Sequence, residues 1–213
     1  MATSELAHRA LVGGLCVAAT GWLLARAVVA VAASGGTLPW TLGRASGLSA
    51  YALLLLLVCA GLLLSHPASR RLRWPTPMAR IRLHMTLAVF TLAFTVLHVV
   101  VLATDPWAHV GWTGALLPMA SDYRPVGVTL GVLAVWSGLL TGLTATLAGR
   151  ALGRVWWPVH KLAALAFLLV WVHGMTAGSD AQQLRGFYPA TGAVVLALAL
   201  SRYHALAEEP VGS

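Results

Sequence analysis

The sequence predicts an all-α integral membrane protein, a single bundle of six spanning helices. Three observations carry this. Of the 213 residues, 59% are hydrophobic and only 9% charged, whereas soluble domains carry about a quarter charged residues. The apolar residues gather into six long runs, and four histidines fall inside two of those runs. Since a spanning helix takes about 20 mostly apolar residues, this length leaves no room for a soluble catalytic domain, and any chemistry sits within the membrane or on a partner.

Punctuated by Pro, Gly and charged stretches, the runs lie at about residues 10–33, 45–65, 83–104, 125–148, 156–177 and 187–204. The first begins after Arg9 and contains Ala30-Val31-Ala32, a signal-peptide-like sequence. Its length and the interrupting Arg26 favour a span instead. The fourth carries Gly127, Gly131, Gly138 and Gly142, two small-x-x-x-small pairs that bring helices close or leave space beside a flat cofactor. The last is the weakest, being short with Pro189 near its start. Residues 1–213 read as one domain without an internal repeat. Cys16 and Cys59 lie in apolar runs, which offers neither a disulfide framework nor a C-x-x-C-H haem attachment site.

A formal net charge of +8 would suggest nucleic acid in a soluble protein. Here it reads as topology, with membrane lipid as the surrounding partner and no nucleic acid. The loop after run two holds Arg70, Arg71, Arg73, Arg80 and Arg82, and the loop after run four holds Arg150 and Arg154 with Lys161 beyond. Alternate loops mix Arg44, Arg124 and Arg185 with Asp105, Asp122 and Asp180. Because Lys and Arg concentrate on the cytoplasmic side, the expectation is a multi-pass protein of the cell membrane with both termini cytoplasmic.

His84 and His98 lie in run three, and His160 and His173 in run five. Ionisable residues inside a membrane are costly and point to function. Both runs cross in the same direction, so the 14- and 13-residue spacings place the histidines about 21 Å and about 20 Å apart along their helices. The result is two His pairs, one per leaflet. Facing neutral imidazoles hold a haem iron from both sides, which predicts haem sites between spans three and five. Rotation is less simple: at about 100° per residue, His98 returns to within about 40° of His84, but His173 falls about 140° from His160. Either the haems lean to different sides of span five or that helix is locally rewound.

Haem propionates need cationic or hydrogen-bonding partners. Arg44 and Arg124 stand near the outer pair, and Arg80 and Arg82 near the inner one. Arg26, inside span one, requires a partner of its own, a propionate or the outer headgroups. His8, His66, His109 and His204 read as surface or interfacial residues. There is no G-x-G-x-x-G, P-loop or H-E-x-x-H, so neither a dinucleotide nor a zinc hydrolase is supported. The competing reading is a transporter whose histidines relay protons or bind a transition metal without haem.

Several segments resemble the ferric reductase-like transmembrane domain family, which includes ferric reductases, NADPH oxidases and the haem-binding membrane subunit of periplasmic methionine sulfoxide reductase systems. The carriers are Gly43-Arg44, Arg82-Leu83-His84 through Leu97-His98, Arg124-Pro125, and Trp157-Pro158-Val159-His160 through Trp171-Val172-His173. They span roughly residues 40–178. The resemblance implies two haem b groups, the inner held by His84 and His160 and the outer by His98 and His173. It also implies a stand-alone form without the flavin and NAD(P)H domain that many members carry. Electrons would then come from quinol or a separate flavin reductase and pass to ferric iron, oxygen or a periplasmic redox partner, with a flavin bound to the chain itself left open. Retention of His84 sets the chain apart from sulfoxide reductase subunits that lack the first of the four histidines.

Overall fold

The computed structural model describes residues 38–147 and 156–208. All its regular elements are helices: α1 (Leu38–Leu64), α2 (Pro77–Thr104), the short α3 (Gly111–Leu116), α4 (Pro125–Leu147), α5 (Trp156–His160), α6 (Leu162–Ala177) and α7 (Phe187–Ala207), with one-turn 3-10 helices at Pro67–Arg71 and Pro106–Ala108. Five stretches are long and apolar enough to cross a membrane: α1, α2, Pro125–Ala145 of α4, Trp157–Ala177 across α5 and α6, and α7. These correspond to the last five of the six runs. The first run, with Arg26 and Cys16, lies outside the described residues.

Two helices extend beyond the apolar runs. α1 is already helical at Leu38, where the described residues begin, ahead of Gly43 and Arg44. α2 starts at Pro77 behind Thr76, whose hydroxyl accepts from the Ala79 N–H at 3.3 Å, so Arg80 and Arg82 are helical rather than loop residues. Pro189 is the third residue of α7, again within the first turn, and does not weaken that span.

Side chains on the outside of the bundle are those of a lipid-facing surface, with Leu63, Val89, Trp136 and Leu196 among many large apolar groups left uncovered. Hydroxyls within the spans bond back to the preceding turn, as Thr91 to the Leu87 carbonyl, Thr95 to that of Thr91 and Thr141 to that of Ser137, which satisfies them without water. The tightest packing surrounds Tyr51 on α1. Its ring lies edge-on to Tyr188 at 5.3 Å and beside Phe167 at 6.4 Å, and its hydroxyl bonds Thr191 at 2.5 Å. This cluster ties α1, α6 and α7 together.

α1 and α2 form one antiparallel hairpin, and α4 with α5–α6 a second. The 13-residue spacing on span five meets an interruption at Lys161, between α5 and α6. There the chain tightens, with the Ala164 N–H reaching the Lys161 carbonyl at 3.1 Å. Span five is thus locally tightened next to His160.

Candidate functional site

The four intramembrane histidines meet in two pairs. His98 on α2 faces His173 on α6 with ring centroids 6.4 Å apart and planes at 80°. His84 on α2 faces His160 on α5 with centroids 6.2 Å apart and planes at 68°. Fourteen residues of helix separate the two levels, about 21 Å.

At the first level both rings are fixed by backbone. His98 Nδ1 lies 2.7 Å from the Gly43 carbonyl, and His173 Nδ1 lies 2.8 Å from the Gly127 carbonyl. A carbonyl only accepts, so each Nδ1 carries the proton and donates it, which leaves the Nε2 lone pair available. One turn further along each carbonyl-bearing helix a glycine clears the ring. A Cβ at Gly47 would lie 2.8 Å from Cε1 and Nδ1 of His98, and one at Gly131 would lie 2.9 Å from the same atoms of His173. The two hairpins thus repeat one device: a carbonyl at residue i, a glycine at i+4, and an antiparallel histidine between them. An internal repeat is therefore present in the geometry although none is evident in the sequence.

The second level is built more loosely. A Cβ at Gly61, fourteen residues beyond Gly47, would stand 3.2 Å from His84 Cε1. The buried His84 Nδ1 is short of a full hydrogen bond, the Leu57 backbone, one turn before Gly61, being the acceptor it approaches. Trp157 stacks on His160 at 6.2 Å and 24°, with the Lys161 ammonium 5.9 Å from the Trp157 ring centre.

The chemistry of the donor set can be set against a cofactor iron, since at each level two imidazoles approach each other from different hairpins. Each level supplies two imidazoles, and no group of three or more His, Cys, Asp or Glu suited to a metal occurs among the described residues. Two imidazoles per level are a donor set that would fit an iron whose remaining ligands come with it, as in haem.

The arginines are placed less as the sequence suggests. Arg44 is paired with Asp180: Nε donates to Oδ2 at 2.8 Å, and Nη2 contacts Oδ1. Arg124, at φ 42°, donates from Nη1 to the Thr176 and Gly178 carbonyls at 3.2 and 3.3 Å. With the Tyr123 hydroxyl on the Ala177 carbonyl at 3.0 Å, it caps the C-terminus of α6, where carbonyls lack helical partners. Both arginines stand at the His98–His173 end, each engaged by protein groups. Arg82 is exposed and lies two residues from His84, about 200° around the helix. Arg80, a full turn from His84, shares its face and donates from Nη1 to the Ser69 carbonyl at 2.8 Å.

The profile of a domain family of unknown function, DUF8596, matches residues 38–180. The chain belongs to this family. No curated protein and no solved structure matches it. The DUF8596 region runs from the first residue of α1 to Asp180, so it contains both hairpins, all four histidines and the Arg44–Asp180 pair, and stops before α7. Asp180 closes this unit by joining the turn after α6 to α1. Asp180→Ala leaves a guanidinium whose side chain is only 17% exposed without its carboxylate. The expected loss is about 1–3 kcal/mol of stability, read as a lowered thermal midpoint in detergent, with Asp180→Glu recovering part of it.

Proposed function

We propose that this protein is a two-haem b membrane cytochrome that carries electrons across the bilayer, in the manner of the ferric reductase-like proteins it resembles. The observation that supports this most directly is the pair of facing imidazoles at each of two levels, with ring centroids 6.4 and 6.2 Å apart. His98 and His173 would hold one group, and His84 and His160 the other.

Bound there, a haem supplies reversible one-electron iron chemistry at low cost in nuclear rearrangement. The chain supplies the rest. The Gly43 and Gly127 carbonyls hold the Nδ1 protons of His98 and His173, which orients both rings and raises the basicity of each Nε2. Gly47 and Gly131 leave the rings room to stand across the bundle. The apolar spans exclude water, and the charges of Arg44, Arg124, Arg80 and Arg82 bias the potentials of the two levels. Quinol or a separate flavin reductase on the basic side is the donor in this reading, and an acceptor on the opposite, outer face completes the path. The basic excess at the His84 end supports a cytoplasmic placement for that end.

The test is a reduced-minus-oxidised absorbance spectrum of the purified protein with a pyridine haemochrome count. Close to two low-spin b haems per chain is the expected result. Folded protein that holds no haem after expression with adequate haem supply overturns it and turns attention to proton or metal flux.

A further inference from the structure

Charge is divided unequally between the ends of the bundle. At the His98 end, Arg44, Arg124 and Arg185 stand against Asp105, Asp122 and Asp180. At the His84 end, Arg70, Arg71, Arg73, Arg80, Arg82, Lys161 and Arg202 face a single described carboxylate, Glu208, which lies 3.5 Å from His204. The basic end is also built rather than merely decorated. The Pro67–Arg71 turn is held against α7 by His66 Nε2 and Ser201 Oγ at 3.2 Å and against α2 by Arg80 Nη1 on the Ser69 carbonyl. Arg80 on α2 and Arg202, next to Ser201 on α7, are half-buried on the two helices to which this turn is tied. Arg70, Arg71 and Arg73 are exposed around it.

We propose that this end binds the phosphate groups of anionic phospholipids, with Arg80 and Arg202 as the inner contacts and Arg70, Arg71 and Arg73 as an outer ring. A lipid headgroup is favoured as the source of phosphate because the arginines flank the ends of spanning helices, at the depth where headgroups lie. Clustered cations beside a span attract anionic lipid there, and the planar guanidinium matches phosphate oxygens. The inference is independent of whether the imidazole pairs hold haem.

The experiment is native mass spectrometry of the full chain after exposure to an equimolar mixture of phosphatidylglycerol and phosphatidylcholine, with haem content recorded on the same samples. Preferential retention of phosphatidylglycerol is expected, in haem-free protein as well. Arg80→Gln and Arg202→Gln should each weaken retention about fivefold, while Arg185→Gln at the other end leaves it unchanged. Should the variants fold poorly, the wild-type preference itself should decline as salt is raised. Equal retention of the two lipids overturns the proposal, as does loss of the preference in millimolar inorganic phosphate, which would assign a soluble anion. Arg80→Gln that sheds haem but keeps its lipid preference overturns it too, because Arg80 would then serve a haem carboxylate.

Discussion

His98→Ala and His173→Ala are expected to give the same phenotype, loss of one b haem and about half the haem absorbance, while His84→Ala and His160→Ala remove the other. Each ring has one partner across the bundle, at 6.4 or 6.2 Å, and the next level is about 21 Å away along α2. An alanine therefore removes one of two axial ligands at its own level and leaves the other level's contacts intact. The two levels should also be distinguishable by electron paramagnetic resonance. Ring planes at 80° and 68° are close to perpendicular, an arrangement that gives low-spin ferric haem a highly anisotropic signal, and each pair of variants should remove one such signal. Loss of both haems in all four single variants would sink the pairing.

The spans and the histidine levels are legible in the sequence because both depend on local properties, apolar length and spacing along one helix. Five of the six runs coincide with helices apolar enough to span, and the matched depth of His84 with His160 and of His98 with His173 follows from the 14- and 13-residue spacings. What sequence reading misses depends on contacts between distant segments. Arg44 and Asp180 are 136 residues apart, and nothing local to Gly43-Arg44 announces that pair. Arg82 draws attention by its proximity to His84, yet helical rotation turns it away and puts Arg80 on the histidine's face. The glycine pairs were visible as small-x-x-x-small spacing, but their role divides. Gly131 clears a histidine ring, whereas among the described residues nothing lies within 4 Å of a Cβ at Gly138 or Gly142. The signal that separates them is the repeat itself: Gly43 and Gly47 stand to His98 as Gly127 and Gly131 stand to His173.

That repeat makes a graded prediction for glycine-to-alanine substitutions. At Gly47 and Gly131 the added methyl would sit 2.8 and 2.9 Å from ring atoms, closer than carbon and nitrogen tolerate. The ring has little freedom to retreat, because its Nδ1 is tied to the carbonyl one turn earlier at 2.7 or 2.8 Å. Moving it breaks that bond, and staying leaves the clash. Gly47→Ala and Gly131→Ala should therefore cost about 1–3 kcal/mol of stability and selectively empty the His98–His173 level. Gly61→Ala meets His84 Cε1 at 3.2 Å, where a shift of a few tenths of an ångström suffices and His84 Nδ1 has only a loose approach to the Leu57 backbone to lose. That variant should keep both haems. Gly142→Ala, which meets no described residue within 4 Å, should stabilise α4 by up to about 1 kcal/mol through helix propensity. Thermal midpoints and haem counts on the four variants check the order. An undiminished His98–His173 haem in both Gly47→Ala and Gly131→Ala would mean that these rings are not held where ligation requires them.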